Sequence, residues 1–194
     1  MNSRERMVET TLRLLRTQGL RATGMNQIVQ ESQAPRGSIY HHFPGGKEQL
    51  AAEALRAAGA AVAAKIRAVL DAHKDVTVAL RKYIEAYAEE IRESDYQRGC
   101  PVGNAATDAT ATSANLREVC AGIFEEWEQL IARSLERDGF RPKEARGLAE
   151  FILSSLEGAL ILVRVRRSTD PLKRVAEQIT ASLAAAKRHR RPRQ

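Results

Sequence analysis

The chain has 194 residues, 43% of them hydrophobic and only 5% aromatic, with a formal charge of +7 and two cysteines. That length suffices for a real core and a binding cavity, and a composition rich in Ala, Leu, Glu and Arg predicts an all-α fold rather than a sheet of aromatic and β-branched residues. Cys100 and Cys120 are too few for a disulfide framework and no Cys/His set has metal-ligand spacing, so the expectation is a cytoplasmic protein without metal or cofactor.

The N-terminal run MNSRERMVETTLRLL carries charges within its apolar pattern and has no small-residue cleavage site, so no secretion signal is expected. Val8, Thr11, Leu12 and Leu15 recur at helical spacing, Asn2 and Glu5 are placed to cap the start, and Gly19 stands where the helix stops, which predicts helix one over about 3–18. Thr23 reads as the N-cap of a short second helix carrying Met25, Ile28 and Val29 and ending at Ser32 and Gln33. Pro35 suits the first turn of a third helix, over about 35–42, because its missing N–H is not needed there.

After Pro44, Gly45 and Gly46, an Ala-rich run from Lys47 to Ala72 predicts a rod about 39 Å long. Further apolar stripes predict helices over about 75–93, 104–111, 113–138, 143–166 and 171–187, the last two separated by Ser168, Thr169, Asp170 and Pro171. The most apolar stretch, Phe151 to Val165, is broken by Ser154, Ser155 and Glu157 and falls short of the roughly 20 residues of a membrane span, so it reads as a buried helix and no membrane partner is expected. The tail cations Lys187, Arg188, Arg190, Arg191 and Arg193 leave about +2 for the rest of the chain. The tail reads as a disordered basic end, either adding salt-sensitive DNA affinity or simply solvated. The expected organisation is a helix-turn-helix domain at 1–46, a ligand-binding and dimerisation domain at 47–187, and a disordered basic tail at 188–194.

Three short helices followed by APRGSIYHHFPGGKEQL, residues 34–50, carry the functional signal. Arg36 has the reach for guanine edges or phosphate, Gly37 permits close backbone approach, and Ser38, Tyr40, His41 and His42 place polar groups on a helix end. Ile39 and Phe43, four apart, anchor that helix to the core. Gly45, Gly46 and Lys47 combine amides, a helix start and an ammonium suited to phosphate. Adjacent histidines on a helix point about 100° apart, which argues against a shared metal ion.

The segment ATGMNQIVQESQAPRGSIYHHFPGGKEQL, residues 22–50, resembles the DNA-binding domain of the TetR family of bacterial repressors. The later GCPVGNAATD, residues 99–108, is similar to the C-terminal signature of the LmrA/YxaF-like subgroup. The resemblance implies base or phosphate contact from Arg36, Gly37, Ser38 and Tyr40, phosphate contact from His41, His42 and Lys47, and a helix-capping place for Thr23 beside the DNA backbone. Gln33 departs from the Gly usual in that turn, at a cost of about 1 kcal/mol or more if its backbone is left-handed.

The resemblance further implies a homodimer paired through the last two helices, a double-stranded palindromic operator, and a planar aromatic or amphipathic small-molecule effector. An efflux or detoxification gene is the implied target. Tyr83, Tyr87, Cys120, Phe124, Trp127, Phe151 and Glu157 are the candidate pocket residues, the aromatic ones serving equally as ordinary core. Glu157 requires a partner such as an Arg, or a ligand contact, and the cysteines are either structural or redox-active. An enzyme would need a nucleophile with its base, a metal set or a phosphate loop, and the chain shows none of these patterns. A sequence-blind architectural DNA binder would leave the large second domain unexplained.

Overall fold

The computed structural model describes residues 2–35, 37–109 and 113–188. Among these, every regular element is a helix, in the order α1 (Ser3–Ala22), α2 (Met25–Glu31), α3 (Ser38–His42), α4 (Gly46–Ala72), α5 (Val76–Glu93), α6 (Pro101–Ala109), α7 (Ala114–Arg137), α8 (Pro142–Arg166) and α9 (Asp170–Arg188). They pack as two compact units. The first comprises Met1–Val62 with Gly99–Phe124, the second Ala63–Arg98 with Glu125–Gln194.

In the first unit, α1 begins with a reciprocal cap: the Asn2 side chain accepts from the Glu5 amide at 2.9 Å and the Glu5 carboxylate accepts from the Asn2 amide at 2.9 Å. Met7, Leu14, Ile28, Ala34, Ile39, Phe43 and Leu50 form one buried cluster that holds α2 and α3 against α1 and the start of α4. Ile39 and Phe43 are anchors, as their spacing predicts.

Gly19 does not end α1 but bends it, at φ 77°, and the helix resumes to Ala22. The expected cap at Thr23 is corrected. Its hydroxyl donates to the Gly19 carbonyl at 2.6 Å, closing the end of α1, and the residue before α2 is Gly24, with no side-chain cap. The bend exposes a carbonyl that a hydroxyl four residues on satisfies more directly than it reaches forward.

Helix α3 also starts later than expected, at Ser38 rather than Pro35. The Pro35 carbonyl accepts from the Ser38 amide at 2.9 Å and from its hydroxyl at 2.7 Å, so this Pro sits in a turn ahead of the helix. Helix α6 begins earlier than expected because Pro101 takes its first position.

In the second unit, Asp75 caps α5 through the amides of Thr77 (2.7 Å) and Val78 (3.3 Å), and Pro142 opens α8. Val76, Leu80, Ile84 and Ile91 of α5, Ile152, Leu156, Leu160 and Val163 of α8, and Leu172, Ile179 and Leu183 of α9 are buried. Trp127, Leu130, Ile131 and Leu135 of α7 join them. The expectation that Phe151 to Val165 is simply a buried helix holds for one face only. Phe151, Ile161, Leu162 and Val165 are 45%, 64%, 42% and 77% exposed. At 3.6 residues per turn a run this apolar has more apolar groups than one buried face accommodates. No described helix is long and apolar enough to cross a membrane.

Candidate nucleic-acid interface

Helices α2 and α3 have seven and five residues and bury Ile28 and Ile39 respectively. Helices this short do not persist alone. Their turn is therefore tied from outside: Arg6 on α1 donates from Nε to the Ser32 carbonyl at 2.9 Å and from a terminal nitrogen to the Gln33 carbonyl at 3.3 Å. Gln33 stands in that turn with φ 52°, the left-handed backbone that Gly adopts without strain. Sequence reasoning missed the role of Arg6, since an Arg at one helix start carries no mark of a carbonyl 26 residues on.

On this scaffold α3 presents its polar side outward. Tyr40 is 67% exposed, His41 is exposed and His42 half-buried, their rings 5.2 Å apart. Gly37 has an ordinary φ of −79° and nothing within 4 Å of where a Cβ would lie, so the fold itself makes no demand for glycine there. Open space at that position suits close approach by something outside the chain. Ser38 is half-buried and its hydroxyl already serves the Pro35 carbonyl. Arg36 lies outside the described residues, as do the tail cations Arg190, Arg191 and Arg193. Thr23 is 1% exposed, so its side chain is not part of the outward face.

The anion site expected at Gly45, Gly46 and Lys47 is already furnished in part. The Gly45 amide donates to Gln49 Oε1 at 2.9 Å, and the Gly46 amide donates to the Phe43 carbonyl at 2.8 Å, so neither is bare. Gly46, at φ 63°, brings the start of α4 against the Tyr40 ring. Lys47 is half-buried. Burial pulls its ammonium below the usual lysine range, and the Asp108 carboxylate opposes that shift. Next to it, Glu48 accepts from the Ser113 hydroxyl at 2.8 Å and the Asn115 amide at 3.1 Å, which hold its carboxyl below the ordinary range.

Between α2 and α3 lies an open cleft of about 730 Å³, with Met25, Val29, Ala34 and Ile39 as its apolar lining and Asn26, Gln30, Gln33 and Tyr40 as its polar one. Asn26 and Gln30, absent from the expected site, share one face of α2 by their spacing of four. That spacing was the available signal.

The candidate pocket residues fall in both units. Cys120 and Phe124 belong to the first; Tyr83, Tyr87, Trp127, Phe151 and Glu157 belong to the second. Cys120 is buried, which pushes its thiol up to about 11. Phe124 is half-buried. Tyr83 and Tyr87 are half-buried on successive turns of α5 with rings 6.1 Å apart. Trp127 is 2% exposed, Glu157 is half-buried, and Phe151 sits on the exposed stripe of α8. Among the described residues no cluster of His, Cys, Asp or Glu is arranged to hold a metal ion.

Residues 7–54 match the bacterial regulatory proteins of the tetR family, and residues 77–178 match the C-terminal domain of the LmrA/YxaF-like transcriptional regulators. The chain is 40% identical over 178 residues to the uncharacterized HTH-type transcriptional regulator YxaF of Bacillus subtilis, covering 92% of this chain and 93% of that one. It is 32% identical over 178 residues to the HTH-type transcriptional regulator LmrA of the same organism, covering 92% and 95%. A TetR transcriptional regulator from Legionella pneumophila shares the fold, with a TM-score of 0.85 over 94% of this chain and 97% of that one at 22% identity. The chain belongs to the TetR family of DNA-binding transcriptional regulators, carries an LmrA/YxaF-like C-terminal domain, and is not an enzyme.

Proposed function

We propose that the protein is a repressor that binds a palindromic operator as a homodimer and leaves it when a small planar or amphipathic effector enters the C-terminal domain. The observation that carries the reading is the face of α3, where Tyr40 stands 67% exposed beside a Gly37 whose Cβ position is open. An aromatic phenol held in water by a helix anchored on Ile39 and Phe43 has its hydroxyl free for a phosphate or base edge. Gly37, Ser38, Tyr40, His41, His42 and Lys47, with Arg36 from the resemblance, form the proposed contact set. Thr23 is left out of it, because its hydroxyl donates to the Gly19 carbonyl and its amide to the Leu20 carbonyl.

Dimerisation is assigned to α8 and α9. Phe151, Ile161, Leu162 and Val165 are exposed on α8 together with Ser154 and Gly158, and Gly147 and Gly158 have open Cβ positions. Large apolar groups alternating with small ones on one stripe suit the close approach of an identical helix. In such a dimer the two copies of α3 must lie about 34–36 Å apart to enter successive major grooves on one face of the duplex. An effector that prefers a different spacing releases DNA, and by linkage DNA weakens that effector by the same factor.

Fluorescence anisotropy with the DNA upstream of the protein's own gene, with and without a panel of planar aromatic compounds, tests this. Selective binding abolished by one compound establishes the repressor and its sensor together. Binding that ignores both sequence and every compound refutes the proposal.

A further inference from the structure

The signature GCPVGNAATD, residues 99–108, lies inside the segment that matches the regulatory C-terminal domain, yet it packs within the first unit. The bend at Gly19 explains what it does there. A straight α1 would pair the Leu15 and Arg16 carbonyls with the amides of residues 19 and 20, and the Arg21 amide with the carbonyl of residue 17. At the bend these groups find partners on α6 and the residue leading into it. The Arg16 carbonyl accepts from the Gly99 amide at 3.2 Å and from Asn104 Nδ2 at 3.1 Å; the same Asn104 nitrogen lies 3.4 Å from the Leu15 carbonyl. The Arg21 amide donates to Asp108 Oδ2 at 3.0 Å.

Asn104 and Asp108 are four apart, so they project from one face of α6 and straddle the bend. A Cβ on Gly19 would come within 3.0 Å of Asp108 Oδ2, so the glycine serves the approach of this carboxylate as well as the φ of 77°. Beyond residues 110–112, Ser113 and Asn115 bind Glu48 in the first turn of α4. The same stretch of the regulatory segment therefore grips the DNA-binding region at two places.

We propose that Asn104 and Asp108 are positioning residues for DNA binding: they clasp the freed backbone groups of the α1 bend and so fix the last turn of α1, from which α2 and α3 continue to the DNA. This rests on the family's DNA-binding role and not on which side chains of α3 and α4 touch the duplex. Without the clasp, the bend keeps the Thr23 hydroxyl on the Gly19 carbonyl and the Gln18 side-chain Nε2 on the Ala22 carbonyl at 2.9 Å, so the helix end persists but loses its outside reference.

The test uses the full chain and a duplex that the native protein selects from random sequence. Asp108→Ala removes the acceptor; Asp108→Asn keeps one for the Arg21 amide; Asn104→Asp exchanges a donor for an acceptor facing two carbonyls. The expected result is at least tenfold weaker binding for Asp108→Ala and Asn104→Asp, binding within threefold of native for Asp108→Asn, and faster hydrogen exchange at the Arg21 amide in Asp108→Ala but not in Asp108→Asn.

Native affinity in Asp108→Ala, equal losses in Asp108→Ala and Asp108→Asn, or unchanged exchange at Arg21 overturns the proposal. Should Asp108→Ala not fold, Asn104→Asp decides: native affinity overturns the clasp, and a tenfold loss with native helicity supports it. Lys47→Ala run beside them separates the two readings. If it binds as native does while Asn104→Asp does not, the phosphate assignment falls and the clasp stands.

Discussion

In the second unit, α5, α8 and α9 run 18, 25 and 19 residues and bury stripes of Val, Leu and Ile along their length. In the first, α2 and α3 run seven and five residues, each burying one large side chain in the shared apolar cluster, and polar contacts to backbone add to that burial: Arg6 on the Ser32 and Gln33 carbonyls of the turn after α2, Asn104 and Asp108 on the α1 bend before it. Apolar burial is non-directional and tolerates exchange of one aliphatic side chain for another. A hydrogen bond to a particular carbonyl does not. The α2–α3 pair thus has directional contacts to backbone beside its apolar anchors, while the long helices of the second unit are held by apolar area along their length.

The largest expected effect tests whether the apolar surplus of the second unit is an interface. Val165→Asp should separate the dimer, raising its dissociation constant at least a hundredfold. In a symmetric pair the change removes two buried side chains worth about 1.5–3 kcal/mol each and buries two unpaired carboxylates. Sedimentation at micromolar concentration should then show half the native mass. A native mass would place the interface elsewhere.

Cys120 asks how closed the core of the first unit is. Burial raises its thiol from 9.0 to about 11, so the folded chain favours the protonated form. That preference is fully present below pH 9 and is lost as pH rises through 11, because the unfolded chain ionises first. At neutral pH the shift leaves about a hundredfold less thiolate than in a free cysteine, and alkylation at Cys120, followed by peptide mass mapping, should be slower by about that factor. Fast alkylation would show that the core opens.

Gly59 marks the close approach of α4 to α7 in that unit. A Cβ there would lie 2.7 Å from Ile123 Cγ2. Gly59→Ala should therefore cost about 1–3 kcal/mol in urea unfolding, and less than that in an Ile123→Ala background, which removes the Cγ2 and Cγ1 atoms it meets. Strict additivity of the two changes would mean that the contact is not what fixes glycine. At the reading face the effects are no larger. Tyr40→Phe leaves an exposed ring in place and should weaken operator binding about 5- to 150-fold through two lost hydrogen bonds, one from each protomer of the dimer. Lys47→Ala should do the same and lower the salt slope by about 1.8, the count for one phosphate from each protomer of the dimer. An unchanged slope would remove Lys47 from the DNA contacts.

The long helices were legible because each repeats its apolar stripe over several turns. Helix α5 begins at Val76 against an expected 75, and α8 at Pro142 against 143. The short ones were not. Helix α3 was expected from Pro35 and α6 from 104, and with so few turns a single Pro decides the start without any periodic signal. Thr23 was misread because a hydroxyl between two helices serves either one, and the choice depends on a bend that Gly19 signals only as a break. The clasp was legible as a motif but not as a function. Asn104 meets carbonyls 88 and 89 residues earlier, and no local pattern announces a partner that is backbone.

The smallest expected effect concerns Gln33, the one non-glycine residue with a left-handed backbone among the described residues of the first unit. Gln33 adopts φ 52°, which costs an ordinary residue about 1–2 kcal/mol; Gly avoids that cost but loses about 0.5–1 kcal/mol through the freedom of the unfolded chain. Gln33→Gly should therefore stabilise the protein by roughly 0.5–1 kcal/mol in urea unfolding. Gln33→Ala keeps the strain and should be neutral or slightly destabilising. Both variants remove the same side chain from the cleft between α2 and α3. If the amide reads DNA, the two lose operator affinity equally although their stabilities differ. If only Ala loses it, what the duplex requires is the turn that Arg6 holds, and the strain at Gln33 brings no recognition in return.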